Sequence, residues 1–183
     1  MKKLYCKRKY SISLIIVFSL FIQLFVPFFS IDANAVGSDE QIRNENGVIL
    51  VDTNNTYEET EFYKDSLFGI AGGFHLVGLD TVEKKAHIHG NILANNFINE
   101  GDFGTRDLKE VSYLRNISDD STIDAGAHDD SILVVGKNTT IGTEDNGNAW
   151  SINGHKINQP KKQDSPDSLW QDGSAEFIDF EIV

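Results

Sequence analysis

Short runs in which every second residue is apolar, broken by Gly and Asn, fill the middle of the chain. From Gly69 to Thr105, GIAGGFHLVGLDTVEKKAHIHGNILANNFINEGDFGT, Phe74 and Leu76 and then Ala86 and Ile88 alternate with other residues. That is the period of a strand with one buried face. Gly72-Gly73, Gly78, Gly90-Asn91 and Asn95-Asn96 supply the bends between such runs. The pattern predicts wound-up β-structure with few catalytic side chains, a scaffold or binding surface ahead of an enzyme.

The same reading extends along the chain. Gly47 to Val51 is a candidate edge strand inside a polar, acidic leader that runs from Val36 to Thr60. Asp107 followed three residues later by Glu110, with Leu108, Val111 and Leu114 at helical spacing, predicts a short helix from Asp107 to Asn116. Ile132-Leu133-Val134-Val135-Gly136 is a continuous apolar run of the kind buried on both faces of a sheet. Asn153-Gly154, between AWSI and HKI, predicts a two-residue hairpin. Pro160 and Pro166 predict that Gln159 to Asp172 runs over the surface before Phe177, Ile178 and Phe180 pack back.

Residues 1–35 stand apart from this pattern. A basic opening (Lys2, Lys3, Lys7, Arg8, Lys9), an apolar run from Ile12 to Phe29 and Ala33-Asn34-Ala35 read as a secretory signal peptide. The competing reading, a retained membrane anchor, is weakened by Gln23 and Pro27. Cleavage leaves 148 of the 183 residues, enough for one domain with a modest core. Five of the 16 basic residues and one of the 28 acidic ones depart with the signal, which leaves 11 against 27 and a formal charge of −16. A chain so acidic repels nucleic-acid phosphates and anionic membrane surfaces, so neither is an expected partner.

The only cysteine, Cys6, departs with the signal, so stability outside the cell rests on packing, sheet hydrogen bonds or bound ions. The long basic opening and the cysteine-free remainder fit export from a Gram-positive bacterium, to the medium or to the cell surface and wall.

Candidate chemistry is sparse. His87 and His89 flank Ile88 and share one face of a strand, with His75 or His128 as a third metal ligand; polar surface is the plainer reading. Acidic loops offer calcium ligands at Asp129, Asp130 and Asp145, among neighbours such as Asp119, Asp120, Asp124 and Glu144. No stretch matches the twelve-residue calcium loop, and a solvated acidic loop is the ordinary reading. Trp150 and Trp170 are candidates for stacking on a sugar or a protein ligand, with Trp170 the better placed for the surface and Trp150 the more expected in the core. There is no G-x-S-x-G, no cysteine after the signal and no Lys-Ser/Thr after Gly72-Gly73, so no catalytic constellation emerges.

Taken together, FGIAGGFHLVGLDTVEKKAHIHGNILA, the acidic middle, DDSILVVGKNTTIG and EDNGNAWSINGHKI resemble the choice-of-anchor A domain, an adhesive domain of Gram-positive secreted and surface proteins, over about Leu67 to Asp179. The resemblance implies a mainly β, β-helix or solenoid-like domain with one or two short helices, acting in extracellular attachment without a catalytic motif. It divides the chain into signal (1–35), leader (36–66) and β domain (67–183), and carries no residue assignments. Related chains continue further, so truncation at the C-terminus is also an expectation. Two functions follow: a non-catalytic adhesive or matrix-contact module for an extracellular protein or glycan, or an enzyme acting on extracellular polysaccharide from a β-helical scaffold.

Overall fold

The computed structural model describes residues 41–105, 109–123, 131–158 and 161–183. The signal segment, Asp129, Asp130 and His128 lie outside these residues. What is described is one compact unit, Gln41–Val183. Among the described residues no helix is long and apolar enough to cross a membrane.

The architecture is mainly β. Strands β1 (Ile49–Val51), β2 (Leu76–Lys84), β3 (Ile92–Gly101), β4 (Val111–Ile117), β5 (Thr122–Ile123), β6 (Ile132–Val135), β7 (Ile141–Glu144), β8 (Ala149–Ile152), β9 (His155–Lys156) and β10 (Leu169–Asp172) follow one another along the chain. Among the described residues the helical content consists of short 3-10 turns at Tyr57–Glu59, Gly69–Gly73 and Asp145–Gly147. The principal sheet runs β1-β10-β6-β4-β3-β2, with β5 added beside β3, and all of its pairings are parallel. A smaller antiparallel sheet contains β7, β8 and β9. Both sheets are open.

Register explains why the strands are so apolar. One row crosses the whole sheet through Ile49, Trp170, Val134, Tyr113, Leu93 and Val77. Its side chains belong to the core cluster closed by Tyr57, Ile70, Phe177 and Ile178. On the opposite face Ile92, Ala94, Leu114, Leu133, Val135 and Leu169 pack with Ile141, Trp150, Ile152 and Ile157, which lie in or beside the small sheet. A parallel sheet covered on both faces needs apolar residues at successive positions, as the ILVV of β6 supplies.

The candidate edge strand near Gly47 is present as β1, the buried run Ile132–Val135 is β6, and Phe177 and Ile178 do pack back. Asn153 (φ 49°) and Gly154 (φ 80°) make the expected hairpin turn between β8 and β9; positive φ at both central residues matches the twist of the strands they join.

Three expectations need correction. Val111–Ile117 is a strand, because Val111 and Tyr113 enter one core while Ser112 and Leu114 face the other; burial on two faces overrides the helical spacing. Asn95-Asn96 lies inside β3, its amides bonded to the carbonyls of Leu79 and Asp80 on β2 instead of forming a bend. Leu169–Asp172 is an interior strand between β1 and β6, with Pro166 outside it.

Candidate functional site

At the N-terminal end of β2 and β3 the sheet opens into a cleft of about 470 Å³. Asn91, which leads into β3 and is 8% exposed, builds its floor. Its side-chain amide donates to Gly73 O at 2.8 Å and Val111 O at 3.0 Å, while its Oδ1 accepts from His75 N at 3.1 Å. One side chain thus joins the chain before β2 to the start of β4, and all three segments contribute to the walls.

Tyr57 closes the inner wall. It is buried, donates its hydroxyl to Phe62 O at 3.1 Å and packs edge-on to Tyr63 and Phe177. Burial, with Tyr63 beside it, raises the phenol above its ordinary pKa, so Tyr57 is a neutral hydrogen-bonding group. At the mouth, Lys109 pairs with Glu61 and sits 5.7 Å from the Phe62 ring centre. Glu110 accepts from Thr105 N at 3.1 Å, and Lys64 and His75 complete the lining. The cleft therefore combines an aromatic wall, both signs of charge and several hydrogen-bonding groups.

A second polar cluster lies at the C-terminal ends of the same strands. Lys84 of β2 and Asn99 of β3 are register partners, 5% and 1% exposed, and Lys84 Nζ donates to Asn99 Oδ1 at 2.8 Å. Burial lowers the Lys84 pKa and the nearby Asp102 carboxylate only partly restores it. His87 Nδ1 is 2.7 Å from Asp102 Oδ1, and that hydrogen bond holds the carboxyl below its usual range. His87 Nε2 lies 3.3 Å from His89 Nδ1, but the two imidazoles meet on the connection between β2 and β3 and not on the expected strand, since Ala86 is exposed and Ile88 makes only an isolated bridge to Phe103.

The sequence candidates are dispersed. Trp150, on β8, is 1% exposed, with Lys162 Nζ 4.3 Å from its ring centre and no hydrogen-bond acceptor for its Nε1 among the described residues. Trp170, expected nearer the surface, is 7% exposed because it occupies β10; its Nε1 donates to Asp167 O at 2.7 Å. Neither indole presents an open ring face for stacking. Asp145 is exposed and pairs with Lys156 at 2.5 Å. Among the described residues no group of three or more His, Cys, Asp or Glu side chains is arranged to hold a metal ion.

Sequence reasoning passed over Asn91, Phe62, Glu61 and Glu110. Glu61-Phe62, Asn91 and Glu110 come from three separate segments with no fixed spacing, so only the parallel pairing assembles them; Gly90-Asn91 was visible as a bend and Glu110 as part of a helix signal, and neither as a site. No protein-family model, curated protein or solved structure matches this chain.

Proposed function

We propose that the unit Gln41–Val183, of which residues 67–183 carry the choice-of-anchor A resemblance, forms a non-catalytic adhesive or matrix-contact domain of that kind, exported by a Gram-positive bacterium and working in the medium or at the cell wall. The finer fold reading belongs to the same proposal. Consecutive strands β2, β3 and β4 are parallel neighbours, and β2 reaches β3 through residues 85–91 alone. A parallel step that short, without a crossover helix, supports a chain wound as a solenoid.

The observation that carries the functional reading is the cleft beside β2. An aromatic wall flanked by Glu61, Lys64 and His75 offers both stacking area and hydrogen bonds to a neutral or mixed-charge ligand, an extracellular glycan or an extended peptide. Binding of the secreted protein to arrays of glycans and matrix proteins is the expected result. Replacing Phe62 and His75 together by Ala should lower the affinity for the captured ligand at least tenfold, or about 1.4 kcal/mol. A folded protein that leaves the arrays blank, or a double variant that binds as well as the parent, overturns the proposal.

One observation favours the enzymatic alternative: Glu61 and Glu110 line the same cleft, and paired carboxylates cleave glycosidic bonds. Glu61 is tied to Lys109 and Glu110 to the Thr105 amide, so neither is placed as a free acid or base. If the alternative holds, the protein depolymerises a polysaccharide and Glu110→Gln reduces that rate at least a hundredfold. Unchanged release of reducing ends by the variant removes Glu110 from that role.

A further inference from the structure

The contact between Lys84 and Asn99 has the makings of a covalent bond. The two residues are direct partners on parallel strands, and their side chains follow Val82 and Phe97 on the buried face. Val82, Phe97, Phe103 and Ile123 belong to the core on this side, with Phe97 and Phe103 edge-on at 5.7 Å. A buried primary amine therefore faces a buried carboxamide with little room for water between them.

We propose that Lys84 and Asn99 join spontaneously through an intramolecular isopeptide bond, a modification that fastens edge strand β2 to β3. The neutral amine attacks Asn99 Cγ, forming Nζ–Cγ. The Cγ–Nδ2 bond then breaks, one proton passes from Nζ to the departing nitrogen, and ammonia leaves. Atoms and charge balance with no oxidant, reductant or co-reactant, since an amine and a primary amide become a secondary amide and ammonia.

The geometry suits each step. Nζ lies 2.8 Å from Oδ1, and turning the Lys84 side chain from that oxygen to the face of the carboxamide brings it to the near-attack range of roughly 3–3.5 Å from Cγ. Burial favours the uncharged, nucleophilic amine. Asn99 Nδ2, the departing group, donates to Gly101 O, which fixes the orientation of the amide plane.

Peptide mass mapping of the secreted full chain tests this. Trypsin acting on an unlinked chain cuts after Lys84 and Lys85. The linked chain should instead yield the peptide Asp65–Lys85 joined to Ala86–Arg106, lighter than the sum of the two by one ammonia. Lys84→Arg, which keeps a hydrogen-bonding cation but supplies no such nucleophile, should restore the ammonia and the separate peptides. Wild-type protein that gives only separate peptides at full sequence mass, with trypsin cutting after Lys84, overturns the proposal.

Discussion

Gly136→Ala is expected to cost about 3 kcal/mol and to lower the melting temperature by roughly 10 °C. Gly136 follows β6 and donates its amide to Leu114 O at 3.1 Å, where β6 lies against β4 in the middle of the principal sheet. A Cβ there would fall 1.8 Å from Arg115 O, 2.7 Å from Arg115 C and 3.2 Å from Arg115 Cα. These are backbone atoms of a neighbouring strand, which no rotamer change can move. Relief requires prising β6 from β4 while both faces of the sheet remain packed. Gly142→Ala is the internal control. Its Cβ would meet only the Ser151 hydroxyl oxygen, at 2.8 Å, and a serine side chain can rotate. Its cost should stay below about 1 kcal/mol. Thermal melts of the two variants decide the matter: if both melt together near the parent, β6 and β4 do not approach as closely as described.

That glycine also marks how far the sequence could be read. The apolar run Ile132–Val135 and its closing Gly136 were legible as a buried strand, yet the reason for glycine was not, because the obstacle is a carbonyl 21 positions earlier that only strand pairing brings near. Local signals with local causes came through. Asn153-Gly154 makes its hairpin because positive φ at both residues is a property of the turn itself.

Signals decided by tertiary packing did not. Leu108, Val111 and Leu114 fit a helix, but Val111, Tyr113 and Leu114 are buried on two sides of a sheet whose other strands lie far away in sequence. Leu169–Asp172 was hidden for a related reason. Four residues between a proline-bearing polar segment and Gly173 are too short for periodicity, and their place between β1 and β6 depends on a register with Ile49 and Leu133. The cleft is illegible in the same way, since Phe62, His75, Asn91 and Glu110 meet only when three parallel strands begin at one level. Lys84 and Asn99 were equally unremarkable as letters; their burial and mutual register carry the inference drawn from them.

The stability of this fold should rise as the pH falls from 7 to 5, and Asp172 is the reason. Asp172 ends β10, is 4% exposed, accepts the Tyr113 hydroxyl on Oδ2 at 2.6 Å and accepts Phe177 N on Oδ1 at 2.9 Å. Burial raises its pKa to about 6, against the lowering effect of those two hydrogen bonds; Glu176 adds to the rise and Arg115 opposes it. The Tyr113 phenol is pushed up by burial and then by the Asp172 carboxylate, so it stays a neutral donor.

A carboxyl whose pKa is higher folded than unfolded binds its proton more tightly in the native state. Its stabilising contribution is complete below the unfolded value of 3.8 and is lost as the pH rises through about 6. The gain over pH 7 should be about 1.4 kcal/mol at pH 5 and should approach about 3 kcal/mol below the unfolded value. Other carboxyls pull the opposite way at the acid end. Asp102, depressed by His87, holds stability that is lost as the pH falls through its lowered pKa, so the window from pH 7 to 5 is where Asp172 is read most cleanly.

Asp172→Asn isolates the effect. The amide oxygen can still accept from Phe177 N, its NH₂ can donate to the Tyr113 oxygen, and no buried charge remains at any pH. Denaturant melts of the variant should show equal or greater stability than the parent at pH 7 and no rise on acidification from that position. A parent that loses stability between pH 7 and 5, with a variant weaker by more than about 1 kcal/mol at pH 7, would mean that Asp172 is ionised and stabilising as the anion. The segment after β10 would then be held by charge, through Asp172 and the Arg115–Glu176 pair at 2.6 Å, and not by a buried neutral latch.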